Sequence, residues 1–129
     1  MAYVIGIVSG LIFLAAYWRS TIPALAHAGF VALAAMLAIY IGAHLVTSDL
    51  MRIIGETVFA MLVLAIAMIL RDRWPAGIGV LVLAHALYDF ILGHSAGVAD
   101  WYPPLCVGFD LTVGLGLVYR FLGVGPEYG

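Results

Sequence analysis

Five apolar runs follow one another along the chain, separated by only a few polar residues. Each is about 17–24 residues long, enough to cross a hydrocarbon core of ~30 Å as a helix. The pattern predicts an all-α, polytopic membrane protein with five transmembrane helices, at about 2–18, 23–46, 50–70, 75–92 and 103–122. Polar punctuation sets the breaks. Arg19-Ser20-Thr21 closes the first run, and Pro23 suits the first turn of the second, where its missing N–H costs nothing. Thr47-Ser48-Asp49 reads as a cap-like turn, Arg71-Asp72-Arg73-Trp74-Pro75 breaks the third run, and Pro103-Pro104 opens the fifth. Connections this short make neighbouring helices antiparallel, and the whole chain reads as one transmembrane domain.

Composition agrees. The chain is 66% hydrophobic and 9% charged, with a mean hydropathy of +1.18, against roughly 25% charged in a soluble domain. Five arginines, no lysine and seven acids leave a net charge of −2, which argues against a nucleic-acid partner. Cys106 is the sole cysteine, which excludes an intrachain disulfide and a Cys-rich metal motif. Ala24-Leu25-Ala26 has the look of a signal-peptide cleavage site, but nothing basic precedes Arg19, so the first run is expected to be a retained helix.

Arginine placement orients the spans. Arg19, Arg71, Arg73 and Arg120 fall on one side and Arg52 on the other. The positive-inside rule then puts the N-terminus outside and the C-terminus in the cytoplasm, in the cell inner membrane. Trp18, Trp74 and Trp101-Tyr102 fall at the expected interfaces, as an aromatic belt does. Gly6-x-x-x-Gly10 permits close helix approach, either within one chain or across a homodimer.

The ionisable residues change the picture most. A charge at the centre of a membrane helix costs at least ~2.5 kcal/mol even on lenient scales, yet Glu56, His85, Asp89 and Asp110 all lie inside predicted spans. With the topology above, all four fall in the outer half of the bilayer. His44 sits near the outer end of the second helix, His94 is at the outer mouth, and only His27 lies on the cytoplasmic side. His85 and Asp89 are four residues apart and so share a helical face. Cys106 is one turn from Asp110 and reads mainly as a small packing residue. Arg52, one turn from Glu56, cannot neutralise three buried carboxylates. Either the acids keep their protons or a bound cation supplies the charge. Imidazole with carboxylates suits a divalent transition metal such as Zn, Fe or Mn, with Glu56, His85, Asp89, Asp110 and His94 as candidate ligands. The bland alternatives are a Glu56–Arg52 pair and a hydrogen-bonded His85–Asp89 pair.

At these residues the chain resembles an uncharacterised family of small bacterial polytopic membrane proteins, a domain of unknown function. That family carries a Glu at the start of a mid-chain helix, then a His-x-x-aromatic-Asp helix with following histidines, a Pro-containing loop and Cys-x-x-x-Asp. Here the pattern reads Glu56, His85 with Tyr88 and Asp89, His94, Pro103-Pro104, and Cys106 with Asp110. It departs at the histidine after Asp89, which the family places earlier and often doubled. The resemblance implies one site built from these groups and no particular activity. A likeness to intramembrane Glu/His metalloproteases is slight, because their paired Glu-Glu with a following Arg is missing around Glu56.

Three roles fit these readings. The first is a metal-dependent membrane enzyme, a hydrolase or an oxidoreductase, with Glu56, His85, Asp89 and Asp110 at its centre and a lipid-like substrate drawn from the membrane. The second is a proton or cation pathway. The third is a non-catalytic ligand-binding protein or a small subunit of a larger membrane complex.

Overall fold

A computed structural model describes residues 1–47, 49–95 and 97–123. It contains five α-helices: α1 (Ala2–Tyr17), α2 (Ile22–Thr47), α3 (Leu50–Arg73), α4 (Ala76–Leu92) and α5 (Tyr102–Leu122). A single 3₁₀ turn, Gly93–Ser95, follows α4, and there is no strand among the described residues. The helices match the predicted runs closely. α3 overshoots to Arg73, because Arg71 and Arg73 suit the negative end of a helix dipole and the Trp74 N–H closes the last turn on the Leu70 carbonyl. At its other end Asp49 is the N-cap and its side chain accepts the Arg52 N–H at 3.2 Å. Ser48, central to the predicted cap-like turn, lies outside the described residues.

Helices α2 to α5 are each long and apolar enough to cross a membrane. α1 has 16 residues, ~24 Å at 1.5 Å per residue, and runs beside α5. Tyr3 and Ile7 abut Gly108, Gly6 abuts Leu105 and Phe109, Gly10 abuts Thr112, and Leu14 abuts Gly116. Both residue numbers rise together, so α1 and α5 are parallel. A Cβ on Gly6 would collide with the Leu105 carbonyl oxygen, and one on Gly108 with that of Tyr3. The Gly6-x-x-x-Gly10 stripe is therefore filled by this chain's own α5.

The core is a row of fully buried apolar side chains from α2, α4 and α5, among them Leu25, Leu33, Ile78, Val82, Val113 and Leu117. The outer surface is as apolar as the core. α3 buries only Ala60 and Ala67 and exposes Ile54, Val58, Met61, Leu62 and Met68. A belt of that size is tolerated where hydrocarbon replaces water.

Candidate metal and proton site

The α4–α5 interface brings polar groups into contact where the core is otherwise dry. His85 and Asp89 lie one turn apart on the face of α4 that packs on α5, and Asp110 projects from α5 to meet them. His85 Nδ1 lies 2.8 Å from Asp110 Oδ2 and 3.6 Å from Asp89 Oδ2. On the far side, the Tyr40 hydroxyl of α2 donates to Asp89 Oδ1 at 2.5 Å. Both aspartates are fully buried and His85 is 5% exposed.

These bonds do not satisfy the site. His85 Nε2, Asp89 Oδ2 and Asp110 Oδ1 are buried with no hydrogen-bond partner among the described residues. Buried polar atoms are nearly always paired, and each unpaired one costs about 1–3 kcal/mol. Three such atoms on three neighbouring residues leave room for a further partner, whether protons, a buried water or a cation. One ligand atom from each of His85, Asp89 and Asp110 lies within 4.8 Å of the other two. Two ligands ~2.0–2.1 Å from a tetrahedral ion sit roughly 3.3–3.4 Å apart, so the 2.8 Å hydrogen bond between His85 Nδ1 and Asp110 Oδ2 would have to open for both atoms to ligate one ion. The arrangement can hold a divalent ion, whose two charges would balance the two carboxylates.

Glu56 and His94, expected in the same ligand set, stand outside that group. Glu56 belongs to α3, which packs mainly on α2, so its carboxylate stops short of the α4–α5 seam. It accepts the Tyr88 hydroxyl at 2.7 Å and lies 3.9 Å from His44 Nε2. The 3₁₀ turn after α4 swings His94 into an exposed position. His44, expected at the rim, is only 2% exposed, and the Gly97 turn packs against its ring. Arg52 is held by Asp49 at 3.3 Å and by the Ser95 carbonyl at 2.6 Å. It therefore brings no charge to the triad. Asp100 is exposed in the turn before α5, and His27 stacks on Phe30 at the other end of the bundle. A cavity of about 470 Å³ beside His27 and Arg71 touches none of the triad.

Sequence reading passed over Tyr40. A usable signal was present: Tyr40 and His44 share one face of α2, four residues apart, in a predominantly apolar helix. Tyr40 also packs edge-on against His85, Tyr88 and Tyr102. Cys106 is buried beside Asp89 and Tyr102. Tyr40→Phe removes only the hydroxyl and so tests the pairing directly. The expected loss is about 1.5–3 kcal/mol, as for a hydrogen bond to a charged group, seen as a lower melting temperature in lipid nanodiscs. Unchanged melting would show that Asp89 does not depend on Tyr40.

No family model, curated protein or solved structure matches this chain, so the functional reading rests on the geometry of the site.

Proposed function

We propose that this chain is a five-span inner-membrane protein that binds one divalent transition metal at His85, Asp89 and Asp110. It acts there as a metal-dependent enzyme on a lipid-like substrate. The observation that carries the reading is the buried triad of one imidazole and two carboxylates, with three polar atoms that have no hydrogen-bond partner among the described residues. A divalent ion would supply Lewis acidity toward a substrate oxygen or water. Hydrolysis follows with Zn, whereas Fe or Mn opens oxidoreductase chemistry. Glu56, hydrogen-bonded to Tyr88 at the edge of the site, is the group placed to accept a proton from outside the triad.

The parallel packing of α1 on α5 supports five spans, since odd-numbered spans of a serpentine chain point the same way. The arginine asymmetry supports an outer N-terminus and a cytoplasmic C-terminus. Thiol labelling of intact cells tests this orientation. In a Cys106→Ala background, Val98→Cys is expected to react with an impermeant reagent and Asp72→Cys to stay protected. The reverse pattern would overturn the topology. For the activity, lipid extracts of cells overproducing the parent are expected to differ from those of cells overproducing Asp110→Ala. Identical extracts under metal-replete conditions would argue against the enzyme.

A second reading, proton passage, draws on the polar groups that run inward from His44, Glu56 and Tyr88 to the triad. Against it, the core beyond His85 consists of Val82, Ile78, Leu33, Leu25 and Leu117, all fully buried and apolar. Such a plug offers a proton no next step.

A further inference from the structure

A fully buried ligand set needs a way in. Asp89 and Asp110 have no exposed surface and His85 keeps only 5%, so an ion bound by the triad must first pass other residues. Away from the Asp49 end the way is filled by Val82, Ile78 and Leu33, all fully buried. Beside α5, Pro103 is buried and pressed on Gly93, where an added Cβ would meet the proline ring at 2.6 Å. Between α2, α3 and α4 lies a hollow of about 60 Å³, apolar apart from His85 and Tyr88. An unpaired ion does not enter through hydrocarbon.

The Asp49 end is different. A groove of about 320 Å³ there is lined by His44, Arg52, Glu56 and Tyr88. Arg52 is paired with Asp49 at 3.3 Å, so those two charges cancel and Glu56 is left as the unbalanced charge of the groove. Its Oε1 lies 3.9 Å from His44 Nε2. A carboxylate beside an imidazole suits a borderline divalent ion. Two such ligands hold an ion weakly enough to pass it on, as a conducting path requires.

Tyr88 stands between the groove and the triad. It lines the groove on one side and the hollow beside His85 on the other. Its hydroxyl donates to Glu56 Oε1 at 2.7 Å, while its ring stacks on His85 with 6.1 Å between centroids. The carboxylate that faces the groove therefore also latches the ring that covers His85. A cation arriving at Glu56 competes with the hydroxyl for that oxygen and loosens the ring as it binds.

We propose that Glu56 and His44 form a weak entry site for a divalent cation, which passes from the groove to the triad when Tyr88 swings aside. This deepens the metal reading and rests on it, by naming the route along which the triad is loaded.

The test uses the full chain in phosphatidylcholine nanodiscs, stripped with chelator and then given Zn²⁺. Uptake is followed in time, and metal content is measured at equilibrium. Glu56→Gln removes the charge, but its side-chain carbonyl still accepts the Tyr88 hydroxyl, so uptake is expected to slow about tenfold. Tyr88→Phe keeps the charge and loses the latch, so uptake and chelator-driven release are both expected to quicken about tenfold. Asp72→Asn, exposed at the opposite end of the bundle, is the control and should match the parent. All three variants are expected to reach the parent's final content, since none removes a triad ligand. Uptake as fast as the parent's in Glu56→Gln, or no faster than the parent's in Tyr88→Phe, would overturn this inference and leave the metal reading standing. So would a Glu56→Gln protein that stays empty at equilibrium, because Glu56 would then be a ligand of the bound ion. A parent that takes up no metal overturns the metal reading itself, and the entry site with it.

Discussion

Asp110→Asn is expected to abolish stable metal binding and to lower the melting temperature of the protein at neutral pH. The amide keeps the size of the carboxylate and most of its hydrogen bonding, but it removes one of the two negative charges facing His85. Losing an outer-shell partner already costs roughly 10–100-fold in metal affinity, and Asp110 is a direct ligand in this account. Bound metal stabilises the folded state by mass action, about 4 kcal/mol at a thousandfold excess over Kd. The parent is therefore expected to melt lower after chelation, and Asp110→Asn to be insensitive to the chelator. If the aspartates are neutral acids instead, the amide mimics the acid and relieves any residual cost of a buried charge. Then the variant melts at or above the parent, and the chelator changes nothing. The two accounts predict opposite signs. Asp100→Asn, in the exposed turn before α5, is the control and should change neither measurement.

Gly108→Leu is expected to detach α1 while leaving the metal site in place. Its side chain would enter the space held by the Tyr3 carbonyl oxygen and the Ile7 nitrogen. Backbone on both sides cannot yield as a flexible side chain does. Overpacking typically costs about 1–3 kcal/mol and occasionally more, and this position belongs at the upper end. Hydrogen exchange along residues 2–17 is expected to accelerate and melting to broaden, whereas metal content stays as in the parent. Exchange and melting equal to the parent would contradict the packing of α1 on α5. Asp110→Asn therefore alters the site without touching α1, and Gly108→Leu does the reverse.

Depth in the bundle was legible from the sequence, and rotation about each helix axis was not. Helix ends announce themselves through Arg19, Asp49, the Arg71–Pro75 turn and Pro103-Pro104, because a chain leaving lipid needs polar or helix-breaking residues there. Counting inward from those ends put Glu56, His85, Asp89 and Asp110 in one half of the bundle. The four-residue spacing of His85 and Asp89 put both on one face. Which face of α3 looks inward could not be read, since a helix in hydrocarbon is apolar on all sides. Glu56 therefore looked like a partner of Asp89 and Asp110, although it meets Tyr88 and His44. Pairing across helices was equally hidden. That Asp110 meets His85 follows from how α4 and α5 pack, including the contact between Gly79 and Gly114. Tyr40 looked like one more apolar helix residue until its hydroxyl was seen at Asp89. The small residues of α1 carried either an internal or an intermolecular reading, and only the neighbouring α5 decides between them.

Metal content per chain is the most direct measure of the central claim. Protein purified without added chelator, exchanged into nanodiscs and analysed for Zn, Fe and Mn is expected to carry about one equivalent in total, as a single three-ligand site predicts. His85→Leu, Asp89→Asn and Asp110→Asn should each carry almost none, while His94→Leu should carry as much as the parent. Less than about a tenth of an equivalent in the parent after metal-replete growth, or an equivalent that survives loss of Asp110, would contradict the account.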